Sequence, residues 1–327
     1  MKIAAGAEGE CSNHLRKSQC RNGRERRLPR RKTSEIRPSF ADLASYINSD
    51  DEAFLALLQR CSLVRRNLRC KTSNCRRNCN LRRRQSAVLG HVFFCIRCRK
   101  MYSVFDGSFF GTLRVPIRTI LSLLWNWVCE IRAGSSAMHL GLPRQTVIRQ
   151  HKYFRDVCSW KLSEQPDLFL LGGPGHVVQI DESPTKQKWI IGIYDCTSPK
   201  GYAAYIPDRS SETLLQHILK VVLPGSEIWT DELQSYRCLS VLGGVSPYTH
   251  KTVNHSRYFR DPMTGLCTNR AEGYCSRLKG MIRRLGVMQS PFLPEYIDMF
   301  LWWQHFGRTA ADRFRNVLLH ISEKYTF

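Results

Sequence analysis

Between residues 176 and 232 the sequence changes texture. HVVQIDES, KWIIGIYD, GYAAYIPD and EIWTDE are short runs rich in β-branched and aromatic residues, bounded by Pro, Gly and Ser, which is the signature of strands. Between the third and fourth runs lies SSETLLQHILKVVLPG, with serine at its start and Gly225 after its end, the start and stop signals of a helix. Three consecutive strands, a helix and a strand ending in acid predict an α/β domain built on a mixed sheet. After YTHKTVNHS come a helical stretch, TNRAEGYCSRLKGMIRRLG, and an apolar helix around PEYIDMFLWWQHF that is expected to pack on the sheet.

Three acids stand out in this segment. Asp181 lies within an apolar strand, where a charge is costly unless it faces a cation or the sheet edge. Asp231 ends another strand, and Glu272 opens a helix. Phosphodiester cleavage needs an activated nucleophile on one side and a stabilised leaving oxygen on the other, and two divalent ions about 4 Å apart supply both. Such ions take oxygen ligands held on rigid elements, and Mg²⁺ in particular takes a few carboxylates plus water and phosphate. Taken singly, each acid has a plain explanation: Glu272 favours the helix dipole, and Asp231 suits a helix cap. Glu182 and Glu232 directly follow the two aspartates, and alternation along a strand puts each pair on opposite faces. The element order and the set of acids together predict an RNase H-like mixed-sheet catalytic domain over residues 176–310, followed by a C-terminal helix or tail over 311–327.

The chain carries 50 Lys and Arg against 27 Asp and Glu, a net +23, with 24 basic against 8 acidic residues in the first hundred. That excess calls for a polyanionic partner. Nucleic acid is favoured over a membrane, because the basic residues alternate with Cys, Asn and Gln, no basic amphipathic helix is visible and no stretch approaches the roughly 20 apolar residues of a membrane span; the resemblance given below narrows this to double-stranded DNA. Residues 1–38 read as a disordered basic arm whose RERRLPRRK run suits nuclear import, placing the protein in the nucleus, or a non-specific DNA contact. The start lacks a signal-peptide core, so the 14 cysteines read as metal ligands or buried small residues rather than disulfides.

Residues 39–110 combine an N-terminal helix with a zinc-ribbon-like segment. In the helix Ser49 can cap and Glu52 can reach back. The knuckle Cys95-Ile-Arg-Cys98 and the upstream pair Cys70 and Cys75 make a tetrahedral, closed, structural Zn²⁺ site, with Cys79 competing for a place. Residues 111–165 read as an all-α, helix-turn-helix-like DNA-binding segment. Pro116 starts one helix, Gly141 marks a turn, and the following helix bears Arg144, Gln145, Arg149, His151 and Lys152, which suit a major groove. A plain three-helix packing unit accounts for the same pattern. Arg277, Lys279, Arg283 and Arg284 read as a solvated charged face or a guide for DNA, and His250, Asn254 and His255 as DNA contacts or structural groups.

IDES at 180–183, PDRSSETLL at 207–215, PGSEIWTDELQSY at 224–236 and YTHKTVNHSRYFRDPMTGLCTNRAEGYCSRLKG at 248–280 resemble the Merlin transposases of eukaryotes and the bacterial insertion-sequence transposases related to them. The resemblance runs from about residue 49 to 305. It implies a metal-dependent DDE-type DNA transposase that cleaves transposon ends and transfers strands, acting on terminal inverted repeats and target DNA as a homo-oligomer in the DNA complex. It also implies that Asp181, Asp231 and Glu272 hold catalytic Mg²⁺ or Mn²⁺, with Asn269 a rival for the third position. A basic loop usual after the IDES strand is short here, and Cys267 and Cys275 stand where the family tends to carry His and Trp. These departures suit a degenerate or domesticated copy, and a sequence-specific DNA-binding protein derived from a transposase but lacking catalysis is the alternative.

Overall fold

A computed structural model describes residues 39–185, 189–241, 247–253, 265–287 and 291–326. The arm at 1–38, Lys186 to Lys188 of the short loop, and the candidates Asn254 and His255 lie outside the described residues. Two short helices, α1 (Phe40–Asn48) and α2 (Asp51–Arg60), open the described chain. The helix expected to start at a Ser49 cap is α2, but its cap is Asp50, which accepts the Ala53 N–H, while Ser49 ends the additional helix α1. Glu52 turns outward to an ion pair with Arg83 and not back to the cap. An antiparallel sheet in the order β1 (Leu68–Arg69), β2 (Asn78–Arg83), β3 (His91–Phe94), β4 (Met101–Ser103) follows, with Phe93 buried in its core.

Next come α3 (Ile117–Val128), α4 (Ala133–Leu140) and α5 (Arg144–Ser163). Gly141, at φ 60°, ends α4 in the left-handed conformation that only a residue without a β-carbon adopts at no steric cost. These helices share a core with α8 (Leu293–Phe306) and α9 (Ala310–Lys324). Trp127 meets Trp303 edge to face, Trp125 meets Phe314, and the α9 residues Phe314 and Leu318 are buried. Segments separate in sequence, 111–165 and 311–327, thus pack in one helical layer.

The second sheet contains β6 (Val177–Pro184), β7 (Trp189–Asp195), β8 (Lys200–Ile206), β10 (Glu227–Asp231) and β11 (Thr249–Val253), in the order β11-β10-β6-β7-β8. β6, β7 and β8 form an antiparallel meander, whereas β10 runs parallel to β6 and β11 parallel to β10. The reversal is possible because α6 (Ser211–Val221) crosses between β8 and β10, giving the chain the length a parallel connection requires. A small pair, β5 (Leu171–Gly172) and β9 (Val222–Leu223), flanks this sheet. α7 (Asn269–Leu285) lies on one face, with Tyr274 and Cys275 buried against it, and α8 bonds to the β8 edge through Gln304 Nε2 and the Gly201 carbonyl, 2.8 Å. The described residues all fall within one unit, Arg31–Phe327, and no helix among them is long and apolar enough to cross a membrane.

Candidate active site and metal centre

The register of β6 and β10 decides where the first two acids meet. Val177, Val178 and Gln179 pair in parallel with Glu227, Ile228 and Trp229. That pairing ends two residues before Asp181 and Asp231, so both acids leave the ladder at the same end of the two strands, close enough for Asp231 to act on the Asp181 carboxyl. On the other side of β6, Asp181 pairs with Gly192. A β-carbon on Gly192 would lie 2.2 Å from the Cys275 sulfur, so the missing side chain is what lets α7 approach the sheet beside Asp181. Glu272 sits one turn before Cys275 and accepts the Thr268 hydroxyl at 2.9 Å. Asp231 accepts the Leu233 N–H at 3.1 Å.

The other two acids contribute to the electrostatic surroundings of Asp181. Burial, then repulsion from Glu272 and Asp231, push the Asp181 carboxyl up to about 7, with Lys279 opposing. Glu182, on the opposite face, has its side chain only 3% exposed, and its Oε1 has no hydrogen-bond partner. Burial and then Asp231 and Asp181 push it up to about 8, against Arg209, whose guanidinium stands 4.0 Å from Glu182 Oε2 and stacks 4.0 Å over the Trp189 ring.

Asp195 supplies the contrast. It is 2% exposed, yet it accepts N–H groups from Gly172 (3.0 Å), Thr197 and Ser198 (both 2.9 Å) and faces His176 Nδ1 at 2.9 Å. Burial works to raise its pKa, but these hydrogen bonds together hold it below the usual carboxylate range. Asp195 is therefore a satisfied structural acid, whereas Asp181 and Glu182 sit where positive charge is in short supply.

The candidate ligands Asp181, Asp231 and Glu272 all offer carboxylate oxygens, and Asn269 Oδ1, at the start of α7, is buried with no hydrogen-bond partner. Both features fit a hard divalent cation. The acids stand further apart than a closed ligand set: among the described residues, Cys70, Cys75, Cys95 and Cys98 are the group whose ligand atoms all lie within 4.8 Å of one another.

The four cysteines could hold a metal such as zinc. Cys75 Sγ and Cys95 Sγ are 3.6 Å apart. Arg76 and Arg99, each directly after the second cysteine of a pair, adopt φ 46° and 55°, so the two knuckles share one backbone turn. The Cys70 thiol, 3.4 Å from Thr72 Oγ1 and 3.3 Å from the Tyr102 hydroxyl, is lowered to about 6 by those two contacts. Cys79 is outside the group; burial, then the nearby Cys95 and Cys70, push it up to about 11, so it stays a thiol. Cys70 and Cys75, and not Cys79, group with the downstream pair Cys95 and Cys98.

The remaining candidates divide. On α5, Arg144, Gln145 and Arg149 are exposed, while Lys152 is engaged by Asp156 at 2.8 Å and Glu295 at 3.6 Å. His151 is buried, and desolvation pushes it down to about 3. His250 Nε2 is 2.9 Å from Thr230 Oγ1, and Thr230 alternates with Asp231, so His250 turns to the face away from Asp231. On α7, Lys279 acts on Asp181, whereas Arg277 lies over the Tyr274 and Tyr194 rings, 5.6 and 5.9 Å away. Sequence reasoning missed Gln179, Gly192, Arg209 and the reach of Lys279. Gln179 carried one available signal, a polar residue at an inward position of an apolar strand.

Comparisons with known proteins find the following similarities. An uncharacterized transposase-like protein of Haemophilus influenzae is 37% identical over 62 residues, 19% of this chain and 47% of the relative; the chain spans about half the length of that curated relative. A simian T-cell lymphotropic virus intasome in complex with PP2A regulatory subunit B56 gamma overlays 58% of this chain and 69% of its own, at 15% identity and a TM-score of 0.30. Residues 177–304, from the start of β6 into α8, match the model of the ISXO2-like transposase domain, and the part of the chain that holds all three acids is thus similar to a transposase domain.

Proposed function

We propose that the protein is a DNA transposase of the DDE type, related to the Merlin group, that cleaves and joins transposon ends at an RNase H-like sheet. The observation carrying this reading is the convergence of Asp181, Asp231 and Glu272, expressed in the raised Asp181 pKa. The strand order β11-β10-β6-β7-β8, with its antiparallel meander and two parallel strands, is the arrangement an RNase H-like domain requires. Asp181, Asp231 and Glu272 would hold Mg²⁺ or Mn²⁺, which when bound supplies Lewis-acid activation of the attacking oxygen and stabilises the leaving one. Lys279, two turns after Glu272 on α7, keeps positive charge beside Asp181 and would meet a phosphate of bound DNA.

Binding is assigned to the basic surfaces. Arg144, Gln145 and Arg149 lie exposed at the first turns of α5, the end of a recognition helix that contacts base edges. The cysteine module exposes Arg82, Arg83 and Arg84 along β2 and its end, and phosphate neutralisation there makes affinity strongly salt-dependent. A nuclear location and assembly of two or more copies on paired ends belong to the same proposal. The deciding experiment uses labelled element ends, target DNA and Mn²⁺. Joined product supports the transposase, cut but unjoined ends indicate a nuclease, and DNA binding with neither product assigns the chain to the non-catalytic alternative.

A further inference from the structure

We propose that Gln179 is a positioning residue that caps α7 from the sheet and thereby fixes Glu272 beside Asp181. The inference rests on the catalytic reading of the acids given above. Gln179 is 2% exposed and lies two residues before Asp181 on the same face of β6. Its Oε1 accepts the N–H groups of Arg270 at 2.9 Å and Ala271 at 3.3 Å. Those donors belong to the first turn of α7, where no intrahelical acceptor exists. A cap side chain ordinarily comes from the residue before the helix. Here that residue, Thr268, makes no cap bond, and its hydroxyl donates to Glu272 instead.

The division of labour has a geometric consequence. A helix capped by its own N-cap residue is stabilised wherever it lies, but one capped by a side chain 91 residues earlier is stabilised only in contact with that strand. A second tie, from Arg270 Nη1 to the Cys196 carbonyl at 2.8 Å, anchors the same turn at the far end of β7. One turn further on, the Cys275 sulfur fills the space over Gly192. Glu272 lies between the Gln179 cap and that contact. Its distance from Asp181 is therefore set by the strand that carries Asp181 and is not left to the preceding loop.

The test uses the full chain and Mn²⁺ binding, followed by the ion's electron paramagnetic resonance signal. Gln179→Met keeps the length and removes the acceptor; Gln179→Glu keeps the acceptor. Removing a group that orients a metal ligand typically weakens binding about 10- to 100-fold. Gln179→Met is expected to lose Mn²⁺ affinity by at least about tenfold, with Gln179→Glu restoring it to within about threefold of the parent. Hydrogen exchange on the unmodified protein gives a reading that needs no variant: the Arg270 and Ala271 amides should be protected although they open a helix. Fast exchange of both, or Gln179→Met binding Mn²⁺ as the parent does, overturns the proposal. Asp181→Asn separates the two layers. If it too binds Mn²⁺ normally, the catalytic reading fails; if it alone loses the ion, only the role of Gln179 fails.

Discussion

Replacing Asp181 by Asn should stabilise the metal-free protein at pH 8 and leave it unchanged near pH 4. The carboxyl titrates at about 7 in the folded chain against an ordinary value of 3.8, a rise of about 3 units, each worth about 1.4 kcal/mol. The folded state therefore binds this proton more tightly than the unfolded state. Below pH 4 both states hold it and no penalty exists. Between pH 4 and 7 the unfolded chain releases it first, so stability falls as pH rises, and above 7 the full penalty of about 4 kcal/mol remains. Asparagine has the same shape without the charge and escapes that loss. For a folded unit of this size the gain corresponds to a Tm rise on the order of 5 °C at pH 8. The assay is calorimetry of both proteins from pH 4 to 8 in chelator, repeated with Mn²⁺, which should raise the parent's Tm and not the variant's. Equal Tm differences at every pH, or a variant less stable at pH 8, would refute the reasoning that Asp181 sits in an uncompensated acidic cluster.

Three further outcomes are expected. Cys95→Ser should abolish stoichiometric zinc binding, measured by metal analysis of the purified chain, and broaden the melting of the module around Phe93, since structural zinc is bound only by a complete ligand set. Gly192→Ala should cost about 1–3 kcal/mol of stability by denaturant titration, because its new carbon would meet the Cys275 sulfur; adding Cys275→Ala should recover most of that loss. If α5 contacts DNA through its first turns, Arg144→Ala combined with Arg149→Ala should flatten the slope of log affinity against log salt by about 2 for duplex binding, while Lys152→Ala, already engaged by Asp156 and Glu295, should change it far less.

Much of this molecule was decided by local pattern. The four strands, α6, α7 and α8 were legible because alternation, helical period and Gly or Ser boundaries are properties of neighbouring residues. The cysteine pairs were legible for the same reason, since a knuckle is a local turn. Asp181 was singled out as a charge within an apolar strand, Asp231 by ending a strand and Glu272 by opening a helix, and the segment that holds them matches a transposase domain. What no local pattern reveals is partnership across the chain. Asp195 looks as exceptional in its strand as Asp181, and only the donors that the fold brings to it mark it as structural. The choice of Cys70 and Cys75 over Cys79, the withdrawal of His250 to the other face, and the engagement of Lys152 by Glu295 all depend on residues that pairing and packing bring close. The cap that Gln179 gives α7 spans β6, β7, β8, β10 and β11 in sequence yet closes over less than 3 Å in space. Hydrogen bonds and charge repulsion act over a few ångströms of space, whatever the separation along the chain, and so tertiary structure alone decides them.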